Sequence, residues 1–478
     1  MKVVLFALNG SWVHSCLALR CLRGPLERDG FEVVLIENTL RDRTAHILER
    51  LYRERADIYG FSCYIWNLTE MLPLAETLHT LLPESRVILG GPEVSFATER
   101  FDGMDWIDAI VCGEGEEAMP NLCRAMRDGE PYERIIQGGC PDVMRDEGIL
   151  YRDGEADGGI LYYESSRGCP YSCAYCLSSA TQGVRMKSAV QTLADMEAFE
   201  RLQIDCKVIK FVDRTFNANV ARANEIWRGL LEERFTKRYH FEVCASLLND
   251  ESFDILSRFP KGKIQLEFGL QSTNPETLAA SSRHIEPQKV ISAVKRIHDM
   301  GNIHVHLDLI AGLPYETYAR FARSFDDAYG CADLLQLGFL KLLYGTELRK
   351  KKAEYGYRCL PTPPYTVLES NWISYPEMQK LFRIAEVLER YLESGRFTHA
   401  LYYLDACMMS PFAFWEGLTD YLGRVDERPL QKISQPDAFR YLLQYAVTIP
   451  EVDETVLKEM LHADFSQHEH KNPPRFLK

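Results

Sequence analysis

Apolar runs of strand length alternate with amphipathic helical stretches twice over in this chain, and that double alternation limits its fold more than any single residue does. In the first series the runs fall at 3–8, 32–36, 57–62, 86–89 and 106–112. Helical patterns lie between and after them, near 16–29, 43–55, 67–82, 94–101 and 115–128. Strands interleaved with helices in this way predict an open, doubly wound parallel sheet. In such a sheet a ligand sits outside the carboxyl ends of the strands. That rule singles out Asn9, Ser62, Gly90, Gly91, Glu93, Gly113 and Glu114, several of them small enough for a large ligand to come close. No G-x-G-x-x-G follows the first run, which argues against a dinucleotide site.

The second series places strands at 160–166, 207–212, 240–246, 263–269, 303–310 and 334–340, with helical patterns around 188–202, 217–234, 250–258, 286–300 and 316–328. Six βα units are too few for a closed eightfold barrel and enough for a partial one. Residues 136–158 are polar and read as a linker; beyond about 345 the pattern turns helical, after prolines at Pro361, Pro363 and Pro364. The 478 residues thus divide into an open sheet over 1–135, the linker, a partial (βα)6 barrel over 159–345 and a mainly helical carboxyl-terminal domain over 346–478, an α/β chain overall.

Charge and apolar runs exclude several roles. The formal net charge of −14 argues against a nucleic-acid partner held by phosphate neutralisation. No run approaches the roughly 18 apolar residues of a membrane span. The opening apolar run is too short for a signal peptide and is followed by Asn9-Gly10, so it reads as a first buried strand. Of the 14 cysteines, most are scattered singly and read as small buried hydrophobes in a reducing, cytoplasmic chain.

Cys169, Cys173 and Cys176 stand apart, forming C-x3-C-x2-C immediately after the first strand of the second series. Three thiolates on one loop can hold three irons of a four-iron cluster and leave the fourth open. Structural zinc wants four ligands, and this loop offers no fourth Cys or His. His304 and His306 share a strand face, where a barrel-wall role is commoner than metal ligation. The run Arg349-Lys350-Lys351-Lys352 reads as a solvated helix face, with docking of an acidic electron carrier the sharper alternative.

With Gly168-Cys169-Pro170 before and Tyr175-Cys176 after, the loop resembles that of the radical S-adenosylmethionine (SAM) enzymes. The second-strand segment Phe211-Val212-Asp213-Arg214-Thr215-Phe216, the fourth-strand segment Glu267-Phe268-Gly269-Leu270-Gln271-Ser272 and the fifth-strand segment Asp308–Thr317 resemble that family too. The resemblance implies that SAM chelates the open iron through its amino and carboxylate groups and that one electron cleaves it to a 5′-deoxyadenosyl radical. It implies SAM contacts for Tyr175 (adenine), Glu267 (ribose hydroxyls), Ser246 (methionine end), Asp213, Gln271 and Asp308, and a flavodoxin- or ferredoxin-type electron donor.

The amino-terminal pattern, notably Val87–Ser95 and Asp108–Glu116, resembles the Rossmann-like cobalamin-binding domains fused ahead of such barrels. This implies cobalamin near Asn9, Trp12, Ser62, Gly90, Gly91, Glu93, Gly113 and Glu114, with Ser62 near the nucleotide tail. The D-x-H-x-x-G stretch that supplies a cobalt-ligating histidine in many of these domains is absent, so no histidine ligand is expected and water, a side chain such as Trp12, or nothing is left beneath the metal. The carboxyl-terminal part resembles an uncharacterised helical domain appended to such proteins; its apolar segment 402–415 reads as helical core, with a lining for an apolar substrate the alternative.

The activity implied is cobalamin-dependent methyl transfer to an unactivated carbon of a small-molecule or peptide substrate. Radical cyclisation or rearrangement, a tRNA methylthiotransferase-like reaction and a non-catalytic cobalamin or redox sensor are the rivals. The methylthiotransferases hold a second cluster on three amino-terminal cysteines, whereas here Cys16 and Cys63 have Gly90-Gly91-Pro92 in the third place.

Overall fold

The computed structural model describes residues 1–140, 149–180, 183–468 and 473–477. Residues 141–148 of the expected linker, and residues 469–472 and 478 of the expected helical domain, lie outside the described residues.

Six parallel strands, β1 (Lys2–Asn9), β2 (Glu32–Thr39), β3 (Ile58–Ser62), β4 (Arg86–Gly90), β5 (Ala109–Cys112) and β6 (Ile135–Gln137), form the first sheet in the order β2-β1-β3-β4-β5-β6. Helices cover both faces. Leu51, Leu74 and Leu78 pack on one, and Leu19, Leu26 and Leu122 on the other. Burial on both sides explains why β1 and β3 are nearly unbroken apolar runs. The strand order reverses between β1 and β3, and such a switch point opens a crevice at the carboxyl ends. Two expectations change here. The sixth strand lies across the expected linker boundary, and residues 94–101 make only a short 3-10 turn at Thr98–Phe101.

Residues 149–158 are anchored to the first domain. Arg23 donates to the Leu150 carbonyl at 2.6 Å and pairs with Glu155, while buried Tyr151 lies under the Arg20 guanidinium and bonds Ser15 Oγ at 2.9 Å.

The second sheet contains β7 (Ile160–Tyr163), β10 (Val208–Phe211), β11 (Tyr239–Val243), β12 (Ile264–Gln271), β13 (His304–Ala311) and β14 (Leu334–Phe339). A short antiparallel hairpin of β8 (Ser166–Gly168) and β9 (Val184–Met186) follows β7. The parallel order β7-β10-β11-β12-β13-β14 is that of a partial barrel. On these strands apolar residues alternate with half-buried ones, as along Ile264–Gln271. The apolar set packs on the outer helices and the other set faces the lumen.

The carboxyl-terminal region covers the open edge of the barrel. Val367 N donates to the Leu340 carbonyl at 2.8 Å, and Phe382, from the helix Tyr375–Tyr391, stacks on Phe339 of β14 with ring centroids 4.0 Å apart. An uncovered edge would template pairing with another chain. Phe412, Phe414 and Trp415 are buried in the helical core and Phe412 packs on Phe325 outside the barrel, whereas Tyr402 and Met409 face solvent. The segment 402–415 is therefore helical core and surface, with no residue lining the central cavity.

At the end of β4, Gly91 has φ +110°, and a Cβ there would stand 2.5 Å from the Cys63 carbonyl oxygen. Left-handed backbone and close approach both demand glycine. Gly91→Ala should lower the stability of the first domain by at least about 2 kcal/mol, read as the loss of its thermal unfolding midpoint.

Candidate active site between the two sheets

The carboxyl ends of the two sheets face each other across a cavity of about 770 Å³. Asn9, Ser62, Gly90, Gly91, Gly113 and Glu114 line it from the first sheet; Tyr162, Glu164, Arg167, Val212 and Arg214 line it from the barrel. An ion-pair clamp crosses from one side to the other. Arg167, on β8 two residues before Cys169, meets Glu114 at 2.8 Å, Glu116 at 2.9 Å and Glu164 at 2.6 Å. Arg185, on β9, also meets Glu114. Both strands of the hairpin carrying the cysteine loop are thereby tied to the loop after β5.

Cys169, Cys173 and Cys176 stand on this loop. Thr215 Oγ1 lies 3.6 Å from Cys169 Sγ, and Arg283 donates to Cys173 Sγ at 3.7 Å and to the Tyr175 hydroxyl at 3.3 Å. Among the described residues no three His, Cys, Asp or Glu side chains converge as ligands of a single metal ion would. A four-iron cluster takes one thiolate per iron and needs no such convergence. Three thiols with cationic and hydroxyl donors beside them fit that group.

Asp213 departs from the role expected of it. It is buried, and its oxygens accept from Ser165 N at 2.7 Å, Ser166 N at 3.0 Å and Ser165 Oγ at 2.5 Å. With both oxygens engaged it shapes the β7–β8 corner ahead of the cysteine loop and is not free for SAM. Trp12 and Glu93 do not line the cavity either. Trp12 is 65% exposed with Lys207 over its ring, so it cannot sit beneath a cobalt atom in this cavity. Glu93 is buried and accepts from Tyr365 and Arg100, pinning the carboxyl-terminal region to the first sheet. Asn9 lines the cavity while its amide donates to Glu37 and to the His14 carbonyl. His14 reaches the cavity wall, its Nδ1 2.7 Å from the Tyr162 hydroxyl.

Of the remaining predicted SAM residues, Glu267, Gln271 and Asp308 stand on barrel strands, Ser246 just beyond one, and Tyr175 on the cysteine loop. Gln271 sits at a bulge with φ +73°, its Oε1 buried and without a partner, as is Asp308 Oδ1. Buried acceptors left open in this way suit a ligand that brings donors, such as ribose hydroxyls or an ammonium group. Ser246 is exposed beside Cys244, 3.2 Å from its sulfur. Glu267 is already paired, with Lys210 at 3.2 Å and the His240 ring at 2.9 Å. Burial acts to raise its pKa, but these two partners outweigh burial and hold it at about 2. Burial, with Glu267 and Glu242 nearby, pushes Asp308 up to about 8. Burial, with Glu267, pushes Glu242 up to about 7. His304 and His306 stack edge to face on the lumen wall at 4.7 Å, where burial, with His304 and His240 nearby, lowers His306 to about 4. Of the basic run, Arg349 lies over the Tyr344 ring and Lys350 pairs with Glu347.

Sequence reasoning missed Lys210, Glu242, His240 and Arg283. The first three carried a signal, since each is a polar residue at alternate positions of an otherwise apolar strand (Val208–Phe211, Tyr239–Val243). Arg283 lies in an irregular stretch and carried none.

A cysteine loop on a partial barrel, facing the switch point of a doubly wound sheet, defines the class. Residues 163–328 match the Radical SAM superfamily, residues 5–123 the B12 binding domain, and residues 353–478 a family described as protein of unknown function (DUF4080). The chain thus carries a radical SAM domain behind an amino-terminal B12-binding domain. It is 27% identical to the cobalamin-dependent radical SAM methyltransferase TokK of Streptomyces tokunonensis, over 77% of this chain and 62% of that protein. It is 26% identical to the 2-(S-pantetheinyl)-carbapenam-3-carboxylate methyltransferase of Streptantibioticus cattleyicolor, over 83% of this chain and 65% of that one. The chain thus spans less than two thirds of the length of either relative. Among solved structures, the cobalamin-dependent SAM radical enzyme OxsB with aqua-cobalamin bound shares the fold over 98% of this chain and 79% of its own (TM-score 0.64, 14% identity). The radical SAM methyltransferase TsrM from Kitasatospora setae, with cobalamin and a [4Fe-4S] cluster bound, does so over 76% of this chain and 78% of its own (TM-score 0.62, 18% identity).

The raised carboxyls set a pH dependence. Folded Asp308 and Glu242 keep protons that the unfolded chain releases near pH 4, so stability falls as pH rises from there through about 8. Asp308 is faced by Glu267, Glu242, Lys210 and Arg283. Asp308→Asn should flatten the decline in thermal unfolding midpoint between about pH 5 and pH 8; an unchanged slope would show that Asp308 ionises normally.

Proposed function

We propose that this chain is a cobalamin-dependent methyltransferase of the radical SAM type, acting on an unactivated carbon of a small-molecule or peptide substrate. The observation that carries the proposal is a cavity lined on the first-sheet side by Ser62, Gly90, Gly91 and Gly113 and on the barrel side by Arg167 and Leu177, the residues that flank the cysteine loop. Cys169, Cys173 and Cys176 hold the four-iron cluster, and Tyr175, Gln271, Asp308, Ser246 and Glu267 surround SAM above it. Ser62, Gly90, Gly91 and Gly113 make room for the corrin, with Asn9 and Glu114 at its edge. When bound, the cluster passes an electron to SAM and cobalamin carries the methyl group. The chain's own residues hold the two sites in register. Arg167 fixes the cysteine loop against the first sheet, Arg283 places a cation beside Cys173, and Tyr162 and Val212 wall the space between.

The methyltransferase names of the relatives at 26% and 27% identity support this reading. Among the described residues no helix is long and apolar enough to cross a membrane, and no two of the 14 cysteines are joined in a disulfide. Free thiols in that number suit the reducing cytoplasm, where a flavodoxin- or ferredoxin-type donor would supply the electron.

Anaerobically reconstituted protein should bind about four irons and one cobalamin. Replacing all three cysteines by Ala should remove the iron and SAM cleavage; a full cluster in that variant would refute the assignment. A Cβ at Gly90 has 3.8 Å to its nearest neighbour, the Val111 carbonyl oxygen, so a side chain fits there and projects into the cavity. Gly90→Val should therefore fold and keep its iron but lose cobalamin absorbance. Undiminished cobalamin in Gly90→Val would place the corrin elsewhere.

A further inference from the structure

Five charged side chains line the central cavity, and four of them are spoken for. Glu114, Glu116 and Glu164 all pair with Arg167. The fifth is Arg214, which is exposed and, among the described residues, has no hydrogen-bond or ion-pair partner. Its neighbours in the chain are fixed. Asp213 is locked to Ser165 and Ser166, and the Thr215 hydroxyl lies 3.6 Å from Cys169 Sγ. Arg214 therefore projects from a rigid strand end beside the cysteine loop. It also stands where the cavity meets the barrel lumen, close enough to Glu242 for its charge to act on that carboxyl.

We propose that Arg214 binds an anionic group, carboxylate or phosphate, of the substrate. The inference rests on the cofactor assignment given above and adds the substrate's chemical class. A guanidinium offers a planar fork of donors matched to either anion, and it is costly to leave unpaired in a cavity about to be closed by ligands. Neither cofactor claims it. The corrin rim carries neutral amides, and its one anion, the phosphodiester of the nucleotide tail, belongs on the side of Ser62, across the cavity from the barrel. The SAM carboxylate is taken up in chelating the cluster. The group left to meet Arg214 is on the molecule that enters between the two cofactors, and an anion held there would set the rest of the substrate against the cavity from a fixed point.

The test uses anaerobic holoprotein loaded with cluster, hydroxocobalamin and SAM, and phenylglyoxal, a reagent that modifies free guanidinium groups. Labelling of Arg214 is followed by peptide mass spectrometry, with the exposed Arg41 as the reference in the same molecule. Arg214 should label in the holoprotein. Acetate or inorganic phosphate at four times its dissociation constant should slow that labelling about fivefold relative to Arg41. Acetamide, and chloride at equal ionic strength, should not. Protection by acetate alone assigns a carboxylate, and by phosphate alone a phosphate ester. Arg214→Gln should retain full iron and cobalamin content. Suppression of labelling by cobalamin or SAM alone, absence of anion protection, or loss of either cofactor from Arg214→Gln would overturn the inference. Failure of the cofactor assignment is distinguishable, because it appears as missing cobalamin absorbance before any labelling begins.

Discussion

One guanidinium, that of Arg167, is shared by three carboxylates from two separate sheets, and the geometry of the cavity depends on it. Glu114 and Glu116 come from the loop after β5, Glu164 from the end of β7, and the three contacts fall between 2.6 and 2.9 Å. Removing such charges from water is expensive, and only saturated geometry offsets the cost. Here the planar fork of arginine meets several acceptors at once, and Arg185 takes up part of the remaining negative charge. The clamp grips the hairpin next to the cysteine loop, so its rigidity is passed directly to that loop. Glu93 with Tyr365 fastens the carboxyl-terminal region to the same first sheet, and Arg23 with Glu155 fastens the stretch that leads into β7.

Inside the barrel the balance of charge differs. Lys210 neutralises Glu267, while Glu242 and Asp308 have no such partner and hold their protons instead. An open cation at Arg214 leaves the cavity beside the cysteine loop with a charge that no described residue satisfies. That character suits a polar substrate better than a lipid. The aromatic residues of 402–415, the alternative lining for an apolar substrate, are spent in the helical core or on the outer surface.

Much of this was legible in the sequence, for a physical reason. Parallel strands buried on both faces must be apolar throughout, so the runs at 3–8 and 57–62 announced themselves, and three cysteines within eight residues admit few roles. The short strand Ile135–Gln137 was hidden because three residues show no period. The misplacements of Trp12, Glu93 and Asp213 share a cause: proximity to a strand end says that a residue is near the site but not which way it points or what already holds it. The partners that decided each case, Lys207, Tyr365 and Ser165, come from distant parts of the chain. Arg167 was visible beside the cysteines, yet its partners Glu114 and Glu116 lie some fifty residues upstream on another sheet, and only the fold brings them together.

The central claim is that the corrin occupies the cavity held by the Arg167 clamp, with the cluster on the cysteine loop that adjoins it. Anomalous scattering at the cobalt and iron edges, from crystals of anaerobic holoprotein, locates both metals without reference to activity. The account predicts the cobalt inside the cavity, between the Gly90-Gly91 strand end and Arg167, with the iron on the adjoining cysteine loop. A cobalt peak outside that cavity, or behind the first sheet with no open path to the irons, would contradict it.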